Sequence, residues 1–298
     1  MNSRVPAALV INPAAGRGAG RRLAAPIADY LAELGVQIHS RHFSRSGSDL
    51  ATQVHERLAA APDAVIVVGG DGSVHSAVNG WMRAGGGAPL AFVPVGTGND
   101  FTKMLGYASD WRAACRQIAQ ARTRVVDVAR CNDFHFINSL GIGFDARVAM
   151  AANRMQWLHS RAVYGVALLR TLCFDHATPK VRLQYAAATL ESAITLIAVN
   201  NGRVEGGAFV LAPQAEIDDG LLDVVVASAL SRFGILRLVP RVLRGTHANH
   251  PAVRIFRSDR LLIECDTGTP VHADGEIRYT DAQRLEITVL PRRLRVIA

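Results

Sequence analysis

Three glycines in four residues enclose a single carboxylate in the stretch Gly69-Gly70-Asp71-Gly72-Ser73. The stretch follows a continuous apolar run, AVIVV (64–68), and precedes a helical pattern from about residue 74. Glycine permits positive φ and close backbone approach. Its N–H groups, with the N-terminus of the next helix, form a nest for phosphate. A carboxylate in such a nest has a use where a metal ion or a hydroxyl is also present, so Asp71 points to Mg2+-nucleotide chemistry. A second loop, PVGTGNDF (94–101), leaves another apolar run. Its Thr97 can donate to a phosphate, and Asn99 and Asp100 can cap the next helix. Taken alone, the first loop is an ordinary strand–helix turn and Asn99-Asp100 only a cap. No GxxxxGK[ST] pattern occurs, and Gly16-x-Gly18-x-Gly20 matches a dinucleotide fingerprint only loosely. Late in the chain, Asp274 and Glu276 stand in ADGE (273–276), where Asp-Gly between two strand patterns is also an ordinary hairpin turn.

These loops need elements to hold them. Residues 7–11 read as a first strand. Leu23, Ile27, Tyr30, Leu31 and Leu34 then recur at helical spacing. A second strand is expected at 36–42, and a helix after the Ser48-Asp49 cap pair, with Leu50, Val54 and Leu58 on one face. The run 64–68 suits a strand covered on both faces, and 90–95 is a fourth strand. Strands separated by helices mean parallel βαβ units, so residues 1–128 are expected to form a doubly wound α/β nucleotide domain. After residue 124 the texture changes. A half-buried strand at 124–130, a turn at 131–133 and a strand at 134–139 lead to a partly helical section, 145–173. Strand-like runs follow at 181–185, 194–200, 222–227, 261–265 and 285–290, interrupted by one clear helix at 232–243. Residues 129–298 are therefore expected to form an antiparallel β-sandwich domain, with ligands in a cleft between the domains.

The chain has 298 residues, 49% hydrophobic and 19% charged, which reads as globular rather than disordered. No stretch approaches the roughly 18 uninterrupted apolar residues of a spanning helix. The N-terminal apolar run is too short for a signal peptide. The four cysteines are far apart, without a CxxC pair, which disfavours a zinc cluster or disulfide framework and suits a reducing cytosol. Net charge is +8, nearly all from arginine, which suits anionic partners. No aromatic-interleaved basic motif appears, so no nucleic-acid partner is expected.

Together NPAAGRG (12–18), GGDGS (69–73), PVGTGNDF (94–101), DDGLLDV (218–224) and ADGE (273–276) resemble, in order and spacing, the catalytic domain shared by bacterial diacylglycerol kinases, sphingosine kinases and ceramide kinase. The resemblance spans nearly the whole chain and is closest to the stand-alone bacterial type. It implies an N-terminal α/β domain of the phosphofructokinase/NAD-kinase kind, a C-terminal β-sandwich, and ATP with Mg2+ as cofactors. It also implies that Asn12, Gly69, Gly70, Asp71, Gly72 and Thr97 bind nucleotide, with Ser73, Val74 and His75 completing the first loop and Asn99 the second. Ser44 is the nearest match to a hydroxyl the family carries after the second strand. Asp274 matches the proposed general base, with Glu276 supporting it or a metal, and Asp71 joins them in the catalytic set. Asp219, with Glu216 and Leu221, matches a structural Mg2+ site, and Asp127 belongs to its network. Ser73 stands where the family has Thr, and His75 where it has Asn.

The resemblance implies a membrane lipid as acceptor and a cytoplasmic protein held peripherally at anionic membrane. Two segments offer themselves. One is 232–244, where Arg232, Arg237, Arg241 and Arg244 accompany Phe233, Leu236 and Leu243. The other carries Arg147, Arg154, Arg161 and Arg170 among Met150, Met155 and Trp157. A solvated arginine face over core packing is the plainer reading of both. A soluble-substrate kinase of the NAD-kinase type, which shares the GGDG loop, and a non-catalytic lipid- or nucleotide-binding protein are the alternatives. A homodimer stays open.

Overall fold

The computed structural model describes residues 5–155, 162–186 and 188–298. The expected second basic segment is only partly covered, because Trp157 and Arg161 lie outside the described residues. The chain divides into two units. The first takes it through Val128 and also holds Phe134–Ile137 and Leu290–Ala298; the second takes Ala129–Asp133 and Asn138–Val289. The single crossing read from the sequence does not contain the two short segments that rejoin the first unit.

The first unit alternates β1 (Val5–Ile11), α1 (Ala15–Glu33), β2 (Val36–Phe43), α2 (Gly47–Ala59), β3 (Ala64–Gly69), α3 (Asp71–Arg83), β4 (Leu90–Pro94), α4 (Asp100–Met104) and α5 (Trp111–Ala119). Next comes β5 (Thr123–Cys131), which runs into the second unit, and then β6 (Phe134–Phe136). Parallel pairing gives the order β2-β1-β3-β4, and Val296 of the returning tail pairs in parallel with Leu90. Helix α1 packs with α5, and α2 with α3. The strand order reverses between β1 and β3, the place where doubly wound sheets bind ligands at their carboxyl edge. Strand β3 is buried along its whole length, as its unbroken apolar run requires. Helix α2 starts two residues earlier than read: Ser46, not Ser48-Asp49, is the N-cap, its hydroxyl accepting from Asp49 N–H at 3.1 Å.

The second unit is largely antiparallel. It contains β7 (Ser139–Gly143), α6 (Phe144–Arg154), α7 (Ala162–Phe174), β8 (Lys180–Tyr185), β9 (Ala188–Asn200), β10 (Val204–Glu205) and β11 (Phe209–Val210). After these come β12 (Leu222–Ser228), α8 (Arg232–Leu243), β13 (Val253–Ser258), β14 (Arg260–Ala273) and β15 (Glu276–Ile297), whose end returns to the first unit. Strand β9 pairs with β8 through its first half and with β7 and β12 through its second. Strand β14 likewise pairs with β8 early and with β7 late. Two long strands thus each serve both layers of a β-sandwich. Phe144, Val148, Ala167, Leu172 and Ile235 form a core that joins α6, α7 and α8. The strand expected over 134–139 is broken in two at Ile137-Asn138. The backbone there turns to donate to a side chain described below.

Candidate active site

In the first unit, three loops meet at the carboxyl edge of β1, β3 and β4. Asn12, just past β1, donates from Nδ2 to Ser73 Oγ at 2.9 Å, while its Oδ1 accepts from Ala14 N–H at 3.0 Å. The carboxylate of Asp71 spans to the second glycine loop, accepting from Asn99 N–H and Asp100 N–H at 2.6 Å each. The Asn99 side chain closes that loop on itself: Oδ1 accepts from Gly96 N–H at 3.1 Å and Nδ2 donates to Gly96 O at 2.9 Å. The two Asp71 bonds are charge-assisted, a kind that is short and strong. Glycine is needed where the loops touch. A Cβ on Gly96 would lie 2.6 Å from Gly70 Cα, and one on Gly16 only 1.9 Å from Val95 O.

The structure brings together Asn12, Gly69, Gly70, Asp71, Gly72, Ser73 and Asn99, and gives several of them work other than touching a ligand. Asp71 caps α4, a task the sequence assigned to Asn99 and Asp100. Asn99 itself sits in the left-handed region (φ 55°) without a side-chain cap bond. Val74 and His75 are buried in α3. The N–H groups of Ser73 and Val74 donate to Gly70 O at 2.9 and 3.0 Å, so neither is left to point at a phosphate. Ser44 is buried beside β1, with its hydroxyl donating to Ile11 O at 3.3 Å. Thr97 is the exposed tip of the second loop. The glycine backbone at the start of α3 lies at a helix N-terminus, where backbone N–H groups and the helix dipole favour anions.

In the second unit, Asp274 and Gly275 turn the hairpin between β14 and β15, both at positive φ (50° and 85°), as a type I′ turn requires. The turn is also pinned. Asp274 Oδ1 accepts from Asn138 N–H at 2.8 Å and Ser139 N–H at 3.0 Å, and Asp274 N–H donates to Ser139 O at 2.8 Å. A carboxylate does this at the price of breaking β6 from β7. Glu276 is exposed beside it.

The residues expected to hold a structural Mg2+ are arranged differently. Asp219 accepts from Leu221 N–H at 3.0 Å, and its other oxygen faces Arg257 at 3.6 Å. Arg257 also pairs with Asp223 at 3.3 Å and donates to Gln214 O at 2.8 Å. A fixed guanidinium stands where the ion would balance the charge, so Asp219, Glu216 and Leu221 do not fit that cation as arranged. Asp127 belongs to the first unit, where it is fully buried and accepts from Arg292 N–H at 2.6 Å.

One cluster went unread in the sequence. His272, two residues before Asp274, is fully buried, with Nε2 3.1 Å from Glu205 and 3.8 Å from Asp145. Burial alone would disfavour charge on His272, but the two carboxylates prevail and hold its pKa well above the usual imidazole value. Burial acts on Glu205 in the opposite sense, yet His272 holds that carboxyl below its usual range. Asp145 is pushed up by burial. The three residues are scattered along the chain, and no spacing marks them. The pairing of His272 with Gly141 across β14 and β7 is what brings His272 near Asp145.

Two family profiles match the chain. The diacylglycerol kinase catalytic domain covers residues 6–131, and the YegS C-terminal NAD kinase beta sandwich-like domain covers residues 138–298. The chain is similar to the diacylglycerol kinase of Mycobacterium tuberculosis (strain H37Rv), 32% identical over 296 residues that cover 96% of this chain and 93% of that one. It is also similar to the diacylglycerol kinase of Bacillus subtilis (strain 168), 24% identical over 275 residues, covering 91% and 89%. A crystal structure of a candidate diacylglycerol kinase from Bacillus anthracis (strain Sterne) superposes with a TM-score of 0.82 at 26% identity, covering 100% of this chain and 98% of that one.

Proposed function

Because this chain belongs to the family of the diacylglycerol kinase catalytic domain with a YegS-type β-sandwich, we propose that it is an ATP- and Mg2+-dependent lipid kinase, transferring the γ-phosphoryl group to a hydroxyl of a membrane lipid. The observation that carries this reading is the fastening of three loops by Asn12–Ser73 and by Asp71 to Asn99 and Asp100. Such a fixed, glycine-lined edge, with a helix N-terminus beside it, suits a polyphosphate. The Gly69–Gly72 backbone and Thr97 bind the phosphates, and Asp71 keeps the cradle in shape. The exposed carboxylate of Glu276 offers hard oxygen donors of the type Mg2+ takes. When bound with ATP, that ion supplies charge neutralisation on the transferring group.

Asp274 is the general base in this reading. The N–H groups of Asn138 and Ser139 fix one of its oxygens, which orients the carboxyl toward an acceptor hydroxyl. The first unit thus supplies the donor site and the second the base and acceptor site, in the domains 1–128 and 129–298.

Contact with anionic membrane rests on α7 and α8. No helix among the described residues is long and apolar enough to cross a membrane. Phe174 and Phe233 are 84% and 77% exposed, and Leu169, Leu236 and Leu243 are also exposed. On α8, Ile235 and Leu238 face the core, leaving Phe233, Leu236 and Leu243 outward beside Arg237, Arg241 and Arg244. Arg232 does not join that face, since its Nε donates to Leu172 O at 2.9 Å. Outward apolar and basic stripes side by side suit a peripheral site in the cytoplasm-facing leaflet.

The test is a phosphoryl-transfer assay on diacylglycerol, a sphingoid base and NAD side by side, with products identified by mass. A phosphorylated lipid is expected, and Asp274→Asn should lower turnover by about 10²–10⁴-fold. Transfer to NAD alone would favour the soluble-substrate alternative. Near-normal turnover by Asp274→Asn would remove the base from Asp274.

A further inference from the structure

His272 is shut off from solvent, and neither ring nitrogen makes a hydrogen bond of good geometry. Its Nε2 faces Glu205 Oε1 at 3.1 Å and Asp145 Oδ2 at 3.8 Å, and that Asp145 oxygen is itself buried without a hydrogen-bond partner. One donor atom from each residue lies within 4.8 Å of the others. Metal–ligand bonds of about 2.0–2.2 Å at near-octahedral or tetrahedral angles set donor atoms roughly 3–3.6 Å apart. The cluster is therefore close to the spacing of shared ligation.

Gly141 supplies a separate observation. A Cβ at that position would stand 2.2 Å from both Asp145 Oδ2 and His272 Nε2, so only glycine keeps the space beside the two donors open. The three donors come from the start of α6, the β10–β11 ribbon and the end of β14. Nothing in their own elements requires them to converge.

We propose that Asp145, Glu205 and His272 form a binding site for one divalent transition-metal ion of the Zn2+ or Mn2+ class. One imidazole nitrogen with two carboxylate oxygens suits such ions, whereas Mg2+ takes oxygen ligands and keeps several waters. The site is separate from the residues assigned to ATP-bound Mg2+ and does not rest on the kinase reading. Bound there, an ion ties the ribbon and α6 to the strand that ends in the Asp274 turn. Its part is structural.

The test uses the full chain, stripped with chelator and titrated with Zn2+, Mn2+ or Mg2+ alone, without nucleotide, by calorimetry. One equivalent of Zn2+ or Mn2+ should bind to the wild type and equally to Asp219→Asn. Losing an outer-shell partner costs about 10–100-fold in affinity, so loss of a ligand in His272→Gln or Glu205→Gln should cost at least about 100-fold. The ion should raise the thermal midpoint of the wild type but not of those variants. Gly141→Ala, whose methyl enters the space beside the donors, should also lose the ion and is the variant to read if either of the others fails to fold. Absence of stoichiometric Zn2+ or Mn2+ binding by the wild type would overturn the proposal and leave a metal-free ion cluster. Unchanged affinity in folded His272→Gln and Glu205→Gln would do the same.

Discussion

Replacing Asp71 with Asn separates two jobs that a carboxylate in a phosphate loop can have. In the structure, Asp71 accepts two backbone N–H groups, those of Asn99 and Asp100, at 2.6 Å each. Hydrogen bonds to a charged partner are worth about 1.5–3 kcal/mol each. Asn keeps one acceptor oxygen and turns an NH2 toward the other donor, so one bond is lost and one N–H is left facing a donor. The expected cost is about 2–3 kcal/mol, and Asp71→Ala, which loses both acceptors, should cost more. At about 2–4 °C per kcal/mol for a protein of this size, Asp71→Asn should lower the thermal midpoint by about 5–10 °C.

Scanning calorimetry measures that shift, and initial rates over a range of ATP and Mg2+ measure the other job. If the carboxylate fastens the loops, the KM for ATP rises, and raising Mg2+ does not restore it. Gly98→Ala is an orthogonal check. Its Cβ would lie 2.6 Å from Asp71 Oδ2, so it displaces the same oxygen without removing the charge, and it should reproduce part of both effects. A midpoint for Asp71→Asn within about a degree of wild type, with activity rescued by excess Mg2+, would refute the fastening role and leave Asp71 as a metal ligand.

Other outcomes follow from single contacts. Gly96→Ala places a methyl 2.6 Å from Gly70 Cα and 2.7 Å from Asn99 Oδ1, so it should abolish measurable ATP binding while circular dichroism still reports a folded chain. Reversing Arg237, Arg241 and Arg244 to Glu should weaken binding to anionic vesicles by on the order of 100-fold, from about 1 kcal/mol per arginine, and wild-type binding should fall with added salt. Salt-independent binding in a sedimentation assay would count against that face. Burial raises the thiols of Cys115 and Cys131 to about 12 and Cys265 above its usual value, while Cys173 is exposed. A thiol reagent at neutral pH should therefore label Cys173 quickly and the other three only after unfolding.

The parts of the fold legible in the sequence are those written in one stretch of chain. The run 64–68 becomes a fully buried strand, and each glycine loop leaves the carboxyl end of a parallel strand, because apolar continuity and turn chemistry are local. Strand β13 shows the limit. Its first five residues are half-buried or exposed and include Arg254 and Arg257, a weak pattern for a strand that, among the described residues, pairs with β12 alone. The candidate site follows the same division. Asp71 and Asp274 could be named from their glycine neighbours, but what they grip could not. Asp71 caps a helix that begins 29 residues later, and Asp274 holds backbone N–H groups 135 and 136 residues earlier. Glu205 and His272 had no local signal at all, since a half-buried acid and a buried histidine are recognisable only once topology sets them face to face. Local pattern thus names the residues that bend the chain, and a residue's chemical task depends on partners that only the sheet register supplies. The same register argument makes Gly141 informative: opposite His272 in the ladder, any side chain there would stand between the imidazole and Asp145.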